Sequence, residues 1–433
     1  MIEEAMKELS IPDLDRSEDE IASENIANMM DNATDVEFVW IPDPDEVWRL
    51  VPFVRQDLEK GEVTVLSYVK VDGGGEMEEK EVTFPIPDTH YLDDSHLDDL
   101  DDLCLMNNLH EAPLLSMLKR RFAASSIYTS AGNILISVNP YRNIPGLYDD
   151  PLSFFIPSRS FDLETVNAKE IPHLFRTANE TLVSFLDTSH NQSVIISGES
   201  GAGKTESSKY VMQFLLAANE KRGGSQVGAE IKHVLSASNY VFEAFGNSKT
   251  TRNDNSSRFG KFIKLQYDID KNLVSAFTET FLLEKSRLSH VGQGERNYHV
   301  FYQMIRGLPQ DVKTELGVSD VDMFCILTDG ECTILDTADE DVVEFNNLTE
   351  AMDALHFSKV EAREMWSLLA AVLHLGSVVV TEKEHDASDN DDKGCNLSSG
   401  TGLSLSKLAG LLGCEEEAFI SHISYQIVTM NMG

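Results

Sequence analysis

The sequence predicts an α/β fold in which helices flank a mixed sheet and a small β-barrel comes before it. Two stretches carry this prediction. Val194, Ile195 and Ile196 form an uninterrupted apolar, β-branched run, as in a buried parallel strand covered by helices on both faces, and a helical pattern follows over residues 206–218. Between residues 36 and 86, short β-type runs are separated by proline and glycine, which is the pattern of a small barrel.

The apolar run ends at a glycine-rich loop with the Walker A pattern G-x-x-x-x-G-K-[ST]. Glycines let successive backbone N–H groups turn inward around phosphate oxygens, and the N–H groups of a helix that begins there add positive potential. A chance meeting of glycine and lysine in an ordinary turn is disfavoured because the match is complete and stands between a strand and a helix. The loop therefore predicts a P-loop that binds phosphate groups and Mg²⁺ through Gly198, Glu199, Ser200, Gly201, Ala202, Gly203, Lys204 and Thr205.

Within that loop two side chains have separate tasks. The ammonium of Lys204 is expected to neutralise charge on the β- and γ-phosphates, and the hydroxyl of Thr205 is expected to bind Mg²⁺. Both roles depend on the helix beginning at the loop.

A second polar stretch, residues 253–261, precedes an alternating strand pattern at 262–267. It combines amides, two hydroxyls and an arginine, which is what a switch loop opposite a P-loop requires. Such stretches are often only loops, so this signal depends on the Walker A loop. The strand pattern turns at 270–272 and continues over 273–283, which predicts a long hairpin.

Several other patterns predict local structure. Residues 1–35 resemble a mobile acidic arm, and the acidic residues between 93 and 102 fit a solvated helix face or turn. The acidic loop 382–394 lacks two ligands of an EF-hand. Strands are predicted at 126–129 and 133–139, a loop at 139–148, and helices at 103–124, 298–306, 348–355, 359–375 and 404–412.

The composition excludes several classes of partner. The sequence has 35 Lys and Arg against 73 Asp and Glu, a formal net charge of −38, which disfavours nonspecific binding to nucleic acid or anionic membranes. Five scattered cysteines predict reduced thiols and no zinc site. The N-terminus lacks a secretory pattern, and the longest apolar stretch, 366–380, is shorter than the roughly twenty residues that span a bilayer. We therefore expect a cytoplasmic protein without membrane insertion.

Five motifs stand in order along the chain: GESGAGKTESSKYVM from Gly198, NDNSSRFGKF from Asn253, FLLEKSR from Phe281, GERNYHVFYQ from Gly294 and MWSLLAAVLHLG from Met365. Together, in this order and spacing, they resemble the motor domain of a myosin. A kinesin also has a P-loop and an N-x-x-S-S-R switch, but there Ser-His follows the arginine, whereas Phe259, Gly260 and Lys261 follow it here. The resemblance runs from about residue 36 to the last residue.

The resemblance implies roles for single residues of the switch and of the base pocket. Asn253 is expected to contact phosphate, Ser256 to position the attacking water, and Ser257 to bind Mg²⁺ together with Thr205. Arg258 is expected to pair with a glutamate of switch II. Asn139, Pro140 and Tyr148 are candidates for lining the adenine pocket.

The resemblance also implies a division of the chain. Residues 1–35 form the arm, 36–90 an SH3-like subdomain, and 91–433 part of a motor domain whose transducer includes the predicted hairpin. Switch II, most of the actin interface and the light-chain-binding helix are expected beyond residue 433. The central sheet is then incomplete, with unpaired edges beside the P-loop strand, and Arg258 has no partner. We expect these residues alone neither to fold stably nor to hydrolyse ATP at a motor-like rate.

Two functions follow as alternatives. The first is the N-terminal part of an ATP-hydrolysing motor that acts on actin filaments in the cytoplasm. The second is a non-motile nucleotide-binding or scaffolding fragment. Continuation of the reading frame into a D-x-x-G-x-E stretch favours the first, and a genuine stop favours the second.

Overall fold

The computed structural model describes residues 36–70, 77–154, 171–223, 227–335, 337–382, 395–399 and 405–424. The chain divides into two compact units. The first comprises residues 1–195 and 207–214, and the second comprises residues 196–206 and 215–433. The predicted acidic arm at 1–35 and nearly all of the acidic loop at 382–394 lie outside the described residues.

The first unit opens with an antiparallel five-stranded sheet in the order β4-β3-β2-β1-β5. Every one of the four β-type runs predicted between residues 36 and 86 is confirmed as a strand. Alternate residues of these strands face a small core of Val39, Ile41, Val51, Val63 and Val65. The strands are β1 (Phe38–Asp43), β2 (Val47–Asp57), β3 (Glu62–Lys70), β4 (Met77–Pro85) and β5 (His90–Tyr91).

The predicted helix over 103–124 is wrong in its first half. The chain forms a 3₁₀ turn at Leu103–Leu105, and helix α1 (Glu111–Ala123) begins only after Asn108. Asn108 adopts a left-handed backbone with φ of 44°, which interrupts any helix. The hairpin β6 (Tyr128–Ala131) and β7 (Ile134–Ser137) is confirmed, and helix α2 (Leu174–Thr188) follows in the same unit.

The predicted acidic turn before α1 has a structural partner that the pattern did not indicate. Asp99 and Asp101 are exposed, yet each binds Arg121 of α1, at 2.9 and 2.8 Å. Because Arg121 is buried, its charge needs these carboxylates. Two residues of the acidic run therefore anchor α1.

The predicted buried strand at residues 194–196 is wrong. These residues form neither strand nor helix, and Ile195 is 89% exposed. A strand needs a partner for its backbone N–H and C=O groups, and none of the described strands pairs with this run. The helix predicted to follow is confirmed as α3 (Lys204–Lys221).

The polar stretch at 253–261 begins as a strand, so the prediction of a loop there is wrong. After helix α4 (Val227–Gly246), strand β8 (Asn247–Thr250) pairs antiparallel with β9 (Asn253–Ser257). The neighbouring strand satisfies the backbone of these polar residues and overrides their preference for loops. The long hairpin is confirmed as β10 (Gly260–Tyr267) and β11 (Leu273–Phe281).

The rest of the second unit is mainly helical around one apolar core, in which Tyr302, Phe324, Leu348 and Leu373 are almost fully buried. Three of the predicted helices are confirmed, and that at 348–355 is the second half of a longer one. The remaining elements are α5 (His299–Gly307), α6 (Gln310–Leu316), α7 (Cys325–Thr328), α8 (Ala338–Ala354), α9 (Lys359–Gly376), β12 (Val378–Glu382), β13 (Cys395–Ser399), α10 (Leu405–Leu412) and α11 (Glu416–Ser424).

None of the helices in the described ranges combines the length and the apolar character needed to cross a bilayer.

Candidate nucleotide-binding site

The Walker A loop has the backbone that its glycines predict. Gly201 and Gly203 adopt left-handed backbone with φ of 81° and 88°, and Gly203 is the N-cap of α3. An added Cβ at Gly198 would lie 3.0 Å from the Cβ of Ala202, so the loop is closed tightly across its width. Side chains at these glycines would either strain the backbone or fill the loop.

Lys204 is held by its own loop. Its ammonium donates to the backbone carbonyl of Gly198 at 2.7 Å and to that of Glu199 at 2.8 Å. A lysine ammonium has three N–H donors, so these bonds use two of them. Lys204 is therefore fixed beside the loop backbone, where an anion held by the loop would also lie.

A hydroxyl pair joins the Walker A loop to strand β9. The Oγ atoms of Ser200 and Ser256 are 2.6 Å apart, although the two residues are separated by 56 positions. Ser256 is 3% exposed, and Arg258 donates to its Oγ from Nη1 at 3.2 Å. Two predicted site segments are thus brought together by the fold, and the hydroxyl of Ser256 is oriented from two sides.

The expectation that Arg258 has no partner is wrong. Its Nε donates to Oε2 of Glu284 at 2.7 Å, just after β11. Arg287 donates to the same oxygen at 2.7 Å. Burial raises the pKa of Glu284, but hydrogen bonds and charge from the two arginines outweigh it and leave this pKa below its ordinary value. Arg258 is therefore paired within this chain.

The other predicted switch residues have local partners. Ser257 is exposed and donates to the carbonyl of Phe259 at 3.0 Å, which leaves its oxygen lone pairs able to face a cation. The side chain of Asn253 accepts from the backbone N–H of Asn255 at 3.0 Å. Thr205 is half-buried in the first turn of α3. Within the described ranges, no group of three or more His, Cys, Asp or Glu is placed to hold a metal ion.

The candidate adenine-pocket residues belong to the first unit. The ring of Tyr148 stacks on that of Tyr210 at a centroid distance of 3.5 Å, and its hydroxyl is 2.5 Å from that of Tyr128. Burial, with added effect from Tyr148, raises the pKa of Tyr128 well above its usual range, so this hydroxyl stays neutral. The side chain of Asn139 accepts from the backbone N–H of Tyr141 at 3.0 Å, and Pro140 is half-buried.

Sequence reasoning missed three residues at these sites. Glu284 pairs with Arg258, Arg252 pairs with Glu199 of the Walker A loop, and Tyr210 stacks on Tyr148. The signal for Glu284 was a lone carboxylate directly after an apolar strand end. Nothing in the local pattern identified Arg252 or Tyr210.

Comparison with known proteins identifies the family. The Myosin head (motor domain) family matches residues 100–431. Myosin-2B of Naumovozyma castellii is 36% identical over 75% of this chain and 22% of its own length, and the Myosin IC heavy chain of Dictyostelium discoideum is 39% identical over 66% and 24%. Myosin-14 of Arabidopsis thaliana is 33% identical over 90% and 24%. The chain spans about a quarter of the length of these relatives. With most of its length matched, this chain belongs to the myosin family, within the motor domain.

Proposed function

We propose that this chain is the N-terminal part of an ATP-hydrolysing, actin-based myosin motor, and that it binds MgATP through the Walker A loop and the switch at 253–258. The observation that best supports the proposal is the 2.6 Å contact between Ser200 and Ser256, because it joins a phosphate-binding loop to a strand rich in hydroxyls and amides. P-loop NTPases require these two segments side by side.

The loop fits a phosphate group by its backbone. Left-handed glycines and the beginning of α3 at Lys204 allow backbone N–H groups to converge, and Lys204 supplies a positive charge at the same loop. We expect the ammonium to exchange at least part of its bonding from the loop carbonyls to phosphate oxygens. Gly198 to Thr205 are thus the proposed phosphate-binding residues.

The switch residues have separate proposed roles. The hydroxyl of Ser256, fixed by Ser200 and Arg258, orients the attacking water, and the amide of Asn253 binds phosphate. Thr205 and Ser257 offer hydroxyl oxygens to Mg²⁺. When bound, Mg²⁺ would neutralise phosphate charge.

The proposal also assigns residues that bind the adenine base of the nucleotide. Asn139, Pro140 and Tyr148 line the adenine pocket, with Tyr148 oriented by its contacts to Tyr128 and Tyr210.

Residues 36–90 are an SH3-like subdomain, and residues 91–433 are part of a motor domain with the mixed sheet of a P-loop NTPase. We propose actin filaments as the partner and the actin cytoskeleton as the location, with light chains on the part of the motor beyond these residues.

Nucleotide binding can be tested with a fluorescent ATP analogue. We expect saturable, Mg²⁺-dependent binding that Lys204→Ala weakens by more than tenfold, because it removes the cation of the phosphate loop. Lys264→Ala, which removes an exposed lysine of β10, is the matched control and should leave the affinity unchanged. Equal affinity of the Lys204 and Lys264 variants would refute the assignment of this loop.

A further inference from the structure

An ion pair connects the Walker A loop to the turn between β8 and β9. Nη1 of Arg252 lies 2.9 Å from Oε2 of Glu199, across 53 positions of sequence. Glu199 is the second residue of the Walker A loop, and Arg252 directly precedes β9. This contact is separate from the Ser200–Ser256 pair, and it reaches the opposite end of the same short strand.

The two contacts fix both ends of β9 to consecutive residues of the loop. Arg252 binds Glu199 before the strand begins, and Ser256 lies against Ser200 near its end. The turn that carries Arg252 is itself braced, because Lys249 binds Asp254 at 2.7 Å. A rotation of β9 away from the loop must therefore break two contacts that lie at different points along the strand.

The charge of Glu199 gives the ion pair a second consequence. A carboxylate in a loop that binds phosphate repels its ligand unless a cation balances it. Arg252 supplies that cation from outside the loop, which leaves Lys204 to the phosphate. Because the two side chains are 71% and 83% exposed, water and salt weaken their attraction.

We propose that Arg252 is a positioning residue for the nucleotide site. Through Glu199 it holds β9, the switch strand, on the Walker A loop, and it balances the carboxylate charge of that loop. This inference rests on the proposed binding of MgATP. Arg252 acts through Glu199 and does not itself touch the phosphates. Its effect is accordingly modest, sensitive to salt and dependent on Glu199.

The test compares Arg252→Gln, Glu199→Gln and the double variant by stopped-flow release of a fluorescent ATP analogue. An exposed ion pair predicts a roughly twofold to fivefold faster release and weaker affinity for Arg252→Gln. In the double variant release should stay fast because the contact is absent, and the affinity should recover through faster association because no carboxylate remains unbalanced. Arg252→Lys should partly restore both the slow release and the affinity of the wild type. Raising the salt concentration should accelerate release from the wild type more than from the variants.

Arg55→Gln is the matched control. Arg55 and Glu81 form another exposed ion pair of 2.9 Å, in the N-terminal sheet, with side chains 63% and 49% exposed. Loss of the Arg55–Glu81 ion pair should leave the release rate of the ATP analogue unchanged. If Arg252→Gln behaves like Arg55→Gln, or if its effect is the same with and without Glu199, the inference is wrong.

Hydrogen exchange of the nucleotide-free protein separates this inference from the proposed function. Arg252→Gln and Glu199→Gln should each speed exchange of the backbone amides of residues 250–257, and the double variant should add nothing further. Unchanged exchange would show that the pair does not hold the strand. A wild type that fails to bind the nucleotide refutes the proposed function, while the exchange result still decides whether the contact exists.

Discussion

The guanidinium of Arg258 and the carboxylate of Glu284 meet at 2.7 Å, and this contact connects the switch strand to the segment that leaves the β10–β11 hairpin. The same carboxylate oxygen accepts from Arg287, which is buried and also binds Glu295 at 2.9 Å. A single acceptor thus serves two cations. The Walker A loop, through Ser200, Ser256 and Arg258, is in continuous contact with the helical part of its own unit.

Glu284→Gln should lower the free energy of unfolding by roughly 1–3 kcal/mol, because two arginines lose a charged acceptor in a partly buried site. The lowered pKa of Glu284 adds a pH dependence: its stabilisation is full above its unfolded pKa of about 4.5 and is lost as the pH falls below that. Urea unfolding at pH 7 and pH 4 measures both effects. Glu279→Gln on the exposed face of β11 is the control, and an equal loss in the two variants would contradict the role of Glu284.

Asp341→Ala should destabilise the protein by about 3–5 kcal/mol, since it leaves the buried Arg296 and the partly buried Arg306 without their carboxylate. Both oxygens of Asp341 accept from Nη2 of Arg296, at 2.9 and 2.8 Å, and Arg306 binds the same carboxylate. Arg296 and Asp341 have no exposed surface. Asp339→Ala, in the exposed first turn of the same helix, should cost far less, and chemical unfolding of the two variants gives the comparison.

Acid should destabilise the first unit through His110. Burial, and then the charges of His90 and His96, lower its pKa to about 4, and both its ring nitrogens are buried without a hydrogen-bond partner. Because the folded pKa is below the ordinary 6.5, the stabilisation is complete above pH 6.5 and is lost as the pH falls towards 4. His110→Phe should lose less thermal stability than the wild type between pH 7.5 and 4.5. An unchanged pH profile in this variant, with exposed His190→Phe as control, would assign the acid sensitivity to other groups.

Gly203→Ala should weaken nucleotide binding by more than tenfold. The left-handed backbone at this position destabilises a residue with a Cβ by roughly 1–2 kcal/mol. Relaxing that strain would move the N–H groups at the start of α3. Gly223, just beyond the other end of α3, has a φ of 87° and open space around it. Gly223→Ala therefore carries a similar backbone cost without a phosphate site, and binding titrations of the two variants separate strain from function. Similar affinities would contradict the assignment.

Local patterns predicted those elements whose partners are close in sequence. The β10–β11 hairpin has both strands and its turn within one stretch, and α9 has a capping Ser358 with Glu361 three residues later. The apolar pattern at residues 194–196 is typical of a strand buried between two others. A run of three residues forms such a strand only where neighbouring strands pair with it, and none of the described strands does so. Strand β9 was missed because pairing with β8, not the propensity of its asparagines and serines, decides its conformation.

In the candidate site, too, the local backbone could be predicted from sequence and the partners distant in sequence could not. The backbone of the Walker A loop could be predicted because the glycine spacing specifies its left-handed positions directly. The partners of its side chains could not, since Glu199 binds Arg252 and Ser200 meets Ser256 only after the intervening helices and strands have folded. Arg258 was assigned a remote partner because no local rule relates it to Glu284, which lies 26 positions away.

The central claim, that Gly198 to Thr205 and the switch strand hold MgATP, is tested most directly by a crystal structure of the protein with a non-hydrolysable ATP analogue and Mg²⁺. The account predicts phosphate density inside the Walker A loop, with the ammonium of Lys204 shifted from the carbonyls of Gly198 and Glu199 towards a phosphate oxygen. It also predicts the metal beside the hydroxyls of Thr205 and Ser257. Nucleotide bound elsewhere, or a loop that keeps both lysine–carbonyl bonds while the analogue is bound, would contradict it.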